Sequence, residues 1–435
     1  MRRLRWREGP ESYARVDPPN GRPLRPRTNT PILRAAMRRA AALVLFALTT
    51  LPTLLAQSPL PVGSRDVAWS NPTGVGSGTL AARVLYPATA NGTNTPLLPQ
   101  PGGWPVVVFL HGFAVLGNSY QSLGTTWAQQ GCIVVLSNTA QFDNVGQEAD
   151  GRALFPAIGI ANTAAGPLQG AFDVQRIALA GHSMGGGNVA NVLAQNPGYR
   201  GGVAIAPVPP RGNNGALVAT PLGIVAGAGD TITPPASNAT PYYQSLTGYR
   251  GCKFLYLLNG DASHTNLAGL FVSGATATAV FQRSAAVAFA GLQNVLATSP
   301  SALEQALGPA ALAEPRLLSL TQQFAEPLVW TSAPLALGAS LRASVGMEPG
   351  IGGLAAAFAP LVGQIATPLG DLRLDPGLAF VLAAGVVGNE RRFDVPLLLP
   401  ADPALVGAPL SLQAIGPSIA QPLQFGSVLG LGVLP

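Results

Sequence analysis

The chain has few charged residues, few cysteines and few histidines, and each shortage limits the class of protein or the side-chain chemistry that the sequence allows. Only 10% of its 435 residues are charged, whereas 48% are hydrophobic. Disordered chains have the opposite balance, so this composition indicates a folded protein that is long enough for two domains. Two cysteines and three histidines confine thiol and imidazole chemistry to a few positions.

Positive charge is also scarce beyond the first 56 residues. The formal net charge is +6, but residues 1–56 contain 11 arginines and 3 acidic residues, a net of +8. The rest of the chain therefore carries 14 basic and 16 acidic groups, a net of −2. This balance offers no phosphate-binding surface, so we expect no nucleic-acid partner.

The basic N-terminal segment contains an export signature. Residues 37–56 combine the n-region "MRR", an apolar run that Pro52 interrupts, and a small residue, Ala56, at a suitable cleavage site. The run is too short for a transmembrane helix, so we predict a signal peptide and a secreted or extracytoplasmic protein. Residues 1–36 lack apolar periodicity, which predicts disorder or a mis-assigned start with Met37 as the true first residue.

Short β-rich runs alternate with helical stretches from about residue 62, the pattern of a parallel sheet covered on both faces. Strands are predicted at "TLAARVLYP", "WPVVVFLHG", "CIVVLSN", "RIALAG", "GGVAIAP", "PLGIVAGA" and "CKFLYLLNG". Helices are predicted over 119–130, 148–164, 184–195, 237–247 and 275–297. We therefore expect an α/β fold with a doubly wound, mostly parallel sheet.

The pattern changes near residue 330. From there Gly and Pro interrupt the strand-like runs every 6–12 residues, which favours a small all-β, sandwich-like domain. This part has no His and no Cys, so catalysis is not expected in it. We predict a catalytic domain over 57–330 and a β-rich accessory domain over 331–435, with a surface or a polymer as the partner of the accessory domain.

The stretch "RIALAGHSMGGGNVANVLAQ" has the strand-turn-helix context of a catalytic nucleophile. Ser183 lies between Gly181 and Gly185 in a G-x-S-x-G pattern, which chance alone supplies in about one chain in three of this glycine content. A strand before the turn and a helix after it add specificity. We therefore predict Ser183 as the nucleophile and the Met184 N–H as an oxyanion donor.

The three histidines lie at different positions relative to the predicted strands, and these positions predict different roles. His264 follows the last strand in "LLNGDASH", at the edge where parallel sheets bind ligands, so by elimination it is the predicted general base. His111 ends a strand in "HGF", where the following loop supplies a second oxyanion donor, the Phe113 N–H; a side-chain base role for His111 is the alternative. His182 is the variable residue of the motif, predicted to point away from the active face and to be structural.

The acid of a triad should lie between the serine and the histidine in the chain order of this architecture. Only Asp230 and Asp261 occur in that interval. Asp230 follows a strand in "PLGIVAGAGDTITPP", where a carboxylate can bind Nδ1–H of His264 and hold its tautomer. Asp261 is predicted to shape a turn, with the acid role as its alternative.

Taken together, "VVVFLHGF", "DVQRIALAGHSMGGGNVAN", "TPLGIVAGAGDTITPP" and "LLNGDASH" resemble the polyester-hydrolase and cutinase-like branch of the α/β-hydrolase superfamily, near dienelactone-hydrolase and chlorophyllase-like esterases. The resemblance covers about residues 62–300. It implies the same nucleophile, acid, base and oxyanion amides as the residue-by-residue reading.

One departure from that family concerns the substrate. Polyester hydrolases usually carry an aromatic residue after the strand that follows the nucleophile helix, but this chain has Val208 there. Stacking on an aromatic ester is therefore weakened. Phe113 is the remaining candidate for an aromatic wall, while Tyr120 and Trp127 are interpreted as core or groove rim.

The family's strand order, 1-2-4-3-5-6-7-8, also bears on the cysteines. It separates the strands that begin at Cys132 and Cys252 by five steps, or roughly 24 Å, against a limit of about 7 Å for a disulfide. We therefore expect two free, buried cysteines.

These observations predict a secreted serine ester hydrolase, without cofactor or metal, that is a monomer and acts on small or polymeric esters. The alternatives are a lipase, dienelactone hydrolase or perhydrolase of the same fold. A further alternative is a non-catalytic surface-binding protein on a hydrolase scaffold.

Overall fold

The computed structural model describes residues 59–195 and 198–435. The predicted disorder of 1–36 and the predicted signal peptide of 37–56 lie outside these residues. None of the helices within them is both long and apolar enough to cross a membrane.

A ten-stranded sheet organises the first part of the described chain. Its strands are β1 Val62–Ser70, β2 Thr79–Pro87, β3 Gly92–Thr93, β4 Trp104–Leu110, β5 Ile133–Ser137, β6 Phe172–His182, β7 Gly202–Ile205, β8 Leu222–Gly227, β9 Cys252–Leu258 and β10 Leu317–Phe324. They are arranged in the order β10-β9-β8-β7-β6-β4-β5-β2-β1-β3. The neighbours from β5 to β9 are parallel, and β2 and β10 are antiparallel to the strands they meet.

Helices cover both faces of this sheet. They are α1 Gln121–Ala128, α2 Asn144–Thr163, α3 Met184–Leu193, α4 Asn214–Leu217, α5 Ala239–Ser245, α6 His264–Leu267, α7 Gly274–Leu296, α8 Glu304–Leu307 and α9 Pro309–Leu312, with short 3₁₀ helices at Gly117–Tyr120 and Pro403–Leu405. Alternate residues of β4 enter two different cores: Val107 and Phe109 face α1 and α7, while Val106, Val108 and Leu110 face α2 and α3. This explains the unbroken apolar run of β4. The predicted α/β fold with a doubly wound, mostly parallel sheet is confirmed.

Separate antiparallel sheets follow. Their strands are β11 Leu328–Thr331, β12 Ser340–Gly346, β13 Gly350–Ala357, β14 Ile365–Thr367, β15 Gly370–Leu372, β16 Phe380–Val387, β17 Arg392–Leu398, β18 Pro409–Gly416 and β19 Gln424–Gly432. The sheet β11-β12-β17 and the sheet β16-β13-β18-β19 share one apolar core, as in a sandwich. The all-β character of this part is confirmed, and the division at residue 330 stays a prediction.

Both cysteines are free and buried, as the strand order predicts. Burial raises the pKa of both thiols, that of Cys252 to about 12, so neither forms a reactive thiolate at neutral pH. We expect a thiol reagent to find no reactive group in the native protein and two after denaturation without reductant. Finding none after denaturation would contradict both the free thiols and the strand order.

Candidate active site

Ser183 alone connects a strand to a helix. β6 ends at His182 and α3 begins at Met184. The backbone of Ser183 has φ 57° and ψ −117°, a conformation that residues other than glycine rarely adopt. Strain of this kind is typical of a nucleophilic side chain held at the edge of a sheet.

The two glycines around Ser183 are required by the backbone. A Cβ on Gly181 would collide with the backbone of Gly185, and a Cβ on Gly185 would collide with the carbonyl groups of Leu110 and His111. The G-x-S-x-G pattern therefore reflects close approach of the strand, the turn and the helix.

Two amide groups beside Ser183 are available to an oxyanion. Among the described residues, the N–H groups of Met184 and Phe113 have no hydrogen-bond acceptor. The N–H of Gly185 donates to the carbonyl oxygen of His111 over 3.1 Å, which holds the start of α3 against the loop after β4. Both predicted oxyanion donors thus lie on two segments that are bonded to each other.

Asp230 lies three residues beyond the end of β8, and four donors surround its carboxylate. Oδ1 accepts the backbone N–H groups of Ile232 and Thr233 at 2.9 and 2.8 Å. Oδ2 accepts the Thr233 hydroxyl and Nδ1–H of His264, each at 2.8 Å. Burial raises the pKa of Asp230, but the hydrogen bonds from His264 and Thr233 outweigh it, so the pKa lies below its usual value and the carboxylate stays ionised.

His264 is the first residue of α6, where the described structure places it against both Asp230 and the Ser183 turn. Its Nδ1 is held by Asp230, and its ring lies 4.5 Å, centroid to centroid, from the ring of His182. Nε2 has no partner among the described residues. Ser183 and His264 are both buried, each with 8% of its surface exposed. This arrangement joins two of the predicted triad members, Asp230 and His264, and packs the His264 ring against His182, the residue before Ser183; no hydrogen bond joins Oγ of Ser183 to His264 among the described residues.

Asp261 and His111, the alternative acid and base, bond to other residues than Asp230 and His264. Asp261 is exposed and contributes backbone groups to the turn before α6, where its carbonyl accepts from Asn266 over 3.0 Å. His111 is fully buried, with Nε2 2.8 Å from the carbonyl oxygen of Thr139 and Nδ1 3.3 Å from the Gln147 amide. Neither ring nitrogen of His111 is left free to act as a base.

The expected orientation of His182 was wrong. Its ring does not point away from the active face but packs against the His264 ring, and its Nε2 lies 3.0 Å from the carbonyl oxygen of His264. The sharp turn at Ser183 brings the preceding side chain toward the residues after β9. The expected structural character of His182 agrees with its 2% exposure.

A network of buried amides supports the site and was missed from the sequence. Nε2 of Gln147, on α2, donates to the carbonyl oxygen of His111 over 2.9 Å, and Oε1 accepts from Asn188 of α3 over 3.0 Å. Asn188 in turn accepts from Asn191, whose Oδ1 binds the N–H of Arg211. The loop after β4, α3 and the loop after β7 are therefore joined by hydrogen bonds; no short motif marks such long-range bonds.

The rim of the site is apolar. Phe113 is 65% exposed and meets Phe142 edge to face at 6.3 Å, and Ile232 beside Asp230 is also exposed. Val208 is half-buried against Gly187, and its N–H donates to the carbonyl oxygen of Ser183 over 3.1 Å. Among the described residues, no group of three or more His, Cys, Asp or Glu side chains is arranged to hold a metal ion.

Thr233 was also missed, and its hydroxyl gives a testable effect. We expect Thr233→Val to lower the free energy of unfolding at pH 7 by about 1–3 kcal/mol, since one donor to a buried carboxylate is lost. A lowered carboxyl pKa stabilises the fold above the usual value of 3.8, and this contribution disappears as pH falls through the folded-state pKa. Urea denaturation of both proteins should therefore show a smaller difference at pH 3 than at pH 7, and an equal difference would contradict the assignment.

Comparison with known proteins agrees with this geometry. A family model described as PET hydrolase-like matches residues 53–282, more than half of the 435 residues. A bis(hydroxyethyl) terephthalate hydrolase of Streptomyces coelicolor is 27% identical over 262 residues, which cover 56% of this chain and 83% of that protein. Cutinase 1 of Thermobifida cellulosilytica and a cutinase of Thermobifida fusca are each 28% identical over 191 residues, which cover 43% of this chain and 66% and 57% of the respective cutinases.

The matched range includes the Ser183 turn, Asp230 and His264. The resemblance to polyester hydrolases and cutinases that the sequence motifs suggested is thereby confirmed. The strained turn, the glycines that it requires and the match over more than half of the sequence lead to one assignment: this chain belongs to the PET hydrolase-like family.

Proposed function

We propose that the protein is a secreted serine ester hydrolase that acts through a Ser183-His264-Asp230 triad and an acyl-enzyme. The observation that carries the proposal is the ionised Asp230 carboxylate bound to Nδ1 of His264, whose ring packs against His182, the residue before the strained Ser183. The relatives of this protein bear the names of ester hydrolases, which supports the same reaction class for it.

In the first half of the reaction, Oγ of Ser183 attacks the ester carbonyl carbon while Nε2 of His264 takes the hydroxyl proton. The carbonyl oxygen becomes an oxyanion, which the free N–H groups of Phe113 and Met184 stabilise. Asp230 holds the tautomer of His264 and stabilises the imidazolium that forms. The tetrahedral intermediate then breaks its bond to the alcohol, which leaves with the proton from His264.

In the second half, water replaces the alcohol. His264 takes a proton from the water as its oxygen attacks the acyl carbon, and the same two amides stabilise the second oxyanion. The bond from Oγ of Ser183 to the acyl carbon breaks, and Ser183 recovers its proton from His264. The products are the carboxylic acid and the free enzyme.

The apolar rim supports an uncharged ester as substrate. Phe113 and Val208 are the side chains that we propose to contact it, because one is exposed beside an oxyanion amide and the other adjoins the Ser183 carbonyl. Val208 offers no aromatic ring for stacking. We therefore propose aliphatic esters, small or polymeric, as better substrates than aromatic polyesters.

Two further parts of the proposal rest on sequence pattern. Export rests on the signal-like segment 37–56. A surface-binding or polymer-binding role for residues 331–435 rests on their all-β character and on the absence of His and Cys. Both parts are independent of the catalytic proposal.

The test is hydrolysis of p-nitrophenyl esters from acetate to longer acyl chains, with bis(hydroxyethyl) terephthalate as an aromatic comparison. We expect the native protein to cleave the aliphatic esters and Ser183→Ala to lose that activity. A native protein that leaves every ester intact would overturn the enzyme assignment in favour of a non-catalytic binding protein.

A further inference from the structure

A chain of buried hydrogen bonds runs beside the nucleophile turn and plays no part in the chemistry above. The N–H of Gly112 donates to Oη of Tyr120 over 2.9 Å, and Oη lies 2.9 Å from Nδ1 of His182. Nε2 of His182 lies 3.0 Å from the carbonyl oxygen of His264. Tyr120 is fully buried and His182 nearly so. These contacts join the loop after β4 to the first residue of α6.

The chemistry of the atoms fixes the direction of every bond in this chain. A carbonyl oxygen only accepts, so Nε2 of His182 carries the hydrogen that binds His264. In a neutral imidazole Nδ1 is then an acceptor, and the Tyr120 hydroxyl must donate to it. The Gly112 N–H fills the acceptor position on Oη. All donors and acceptors are matched, without a charged group.

His182 is neutral at any working pH. Burial, with the nearby charge of a protonated His264 as the next cause, lowers the pKa of His182 to about 3. The tautomer is therefore constant while His264 gains and loses its proton. His182 offers a fixed hydrogen-bond donor to the residue that moves protons in the proposed mechanism.

The packing around this chain leaves little room for movement. A Cβ on Gly112 would lie 3.0 Å from Oη of Tyr120 and 3.3 Å from both Nδ1 of His182 and Cβ of Ser183. Phe109 packs on the Tyr120 ring with centroids 4.7 Å apart. A shift of Tyr120 would therefore displace the loop, the nucleophile turn or both.

We propose that Tyr120 and His182 are positioning residues that set the distance between the oxyanion loop and His264. This inference rests on the proposed function. Gly112 directly precedes Phe113, whose N–H is a proposed oxyanion donor, and His182 directly precedes Ser183. The Tyr120-His182 pair thus bonds to the loop of Gly112 and to His264, and His182 itself adjoins Ser183, so the pair connects the three segments whose relative placement governs attack on the ester.

The direct test removes one hydroxyl. Tyr120→Phe keeps the ring and leaves the Gly112 N–H and Nδ1 of His182 without partners. We expect kcat for p-nitrophenyl acetate to fall about tenfold, with KM changed less than about twofold, because reacting groups are misplaced but no substrate contact is lost. Tyr199→Phe is the matched control, since Tyr199 also loses a buried hydroxyl bond, to the Gly151 carbonyl, remote from this chain of bonds.

A double variant tests whether the two residues act as one unit. In a His182→Phe background, Tyr120→Phe should cause a smaller loss of kcat than in the parent, because the bond between the two side chains is already absent and only the Gly112 bond remains to be lost. Losses that multiply would overturn the proposal, as would an unchanged kcat in Tyr120→Phe or a change in KM alone. An inactive parent protein overturns the proposed function instead, so the two failures are distinguishable.

A measurement without substrate completes the test. Long-range ¹H–¹⁵N spectra of the parent should show His182 as the Nε2–H tautomer, unprotonated from pH 5 to 8. In Tyr120→Phe the ¹⁵N chemical shift of Nδ1 of His182 should move toward that of an imidazole nitrogen that accepts no hydrogen bond. An Nδ1–H tautomer, or protonation of His182 at pH 5, would overturn the proposal even where a variant fails to fold.

Discussion

Replacing Ser183 with alanine should lower kcat/KM for p-nitrophenyl acetate by about 10⁴- to 10⁶-fold, because the atom that we propose to form the acyl-enzyme is removed. The fold should be unaffected, since no described hydrogen bond depends on Oγ of Ser183. Relief of the positive-φ strain is not expected either, because alanine has the same Cβ. Steady-state kinetics with a thermal unfolding curve of each protein would measure both effects.

Ser284→Ala is the matched control for this variant. Ser284 is fully buried in α7, its hydroxyl has no partner among the described residues, and it is absent from the site. Its activity should equal that of the parent. Comparable losses in both variants, or full activity in Ser183→Ala, would contradict the nucleophile assignment.

Replacing Asp230 with asparagine should lower kcat by about 10³- to 10⁴-fold. The amide cannot stabilise an imidazolium, and its NH₂ group favours the wrong tautomer of His264. KM should change little, because Asp230 is 3% exposed and lies behind the histidine. The measurement is kcat and KM for a soluble ester at pH 7.

Asp261→Asn separates the two acids that the chain order allows. Its carboxylate is exposed, and it shapes the turn through backbone groups that asparagine retains. We expect full activity in this variant. A greater loss in Asp261→Asn than in Asp230→Asn would show that the histidine takes its partner from the turn instead.

Much of the site is predictable because local chemistry dictates it. The glycines around Ser183 mark a turn in which the backbone leaves no space for Cβ atoms. The small number of histidines also makes the triad predictable. With three histidines in the chain, the order of serine, aspartate and histidine leaves few residues that could serve as the base. The short distance from Asp230 to His264 agrees with that reasoning.

The features that sequence reasoning missed depend on contacts between distant residues. The Tyr120-His182 and Gln147-Asn188 bonds join residues 62 and 41 positions apart, and a lone Tyr or Gln carries no sign of its partner. β10 was missed for a similar reason, because it is an edge strand that forms only by pairing with β9.

One missed boundary did have a local signal. The second helix begins at Asn144 rather than at residue 148, and Asp143 caps it by accepting the N–H groups of Val145 and Gly146 at 3.0 and 2.8 Å. An aspartate before a helical stretch is a standard start signal. The first turn of this helix is polar and lacks apolar periodicity, so the pattern of hydrophobic residues did not indicate the start of the helix.

The most direct test of the account is covalent trapping of the nucleophile. A p-nitrophenyl phosphonate ester should release one p-nitrophenol per chain as Oγ of Ser183 bonds to phosphorus, and peptide mass spectrometry should find the phosphonyl group on Ser183 alone. The rate should fall sharply in Asp230→Asn, and labelling should be absent in Ser183→Ala. Ester hydrolysis that continues while Ser183 stays unlabelled, or a label on another residue, would contradict the account.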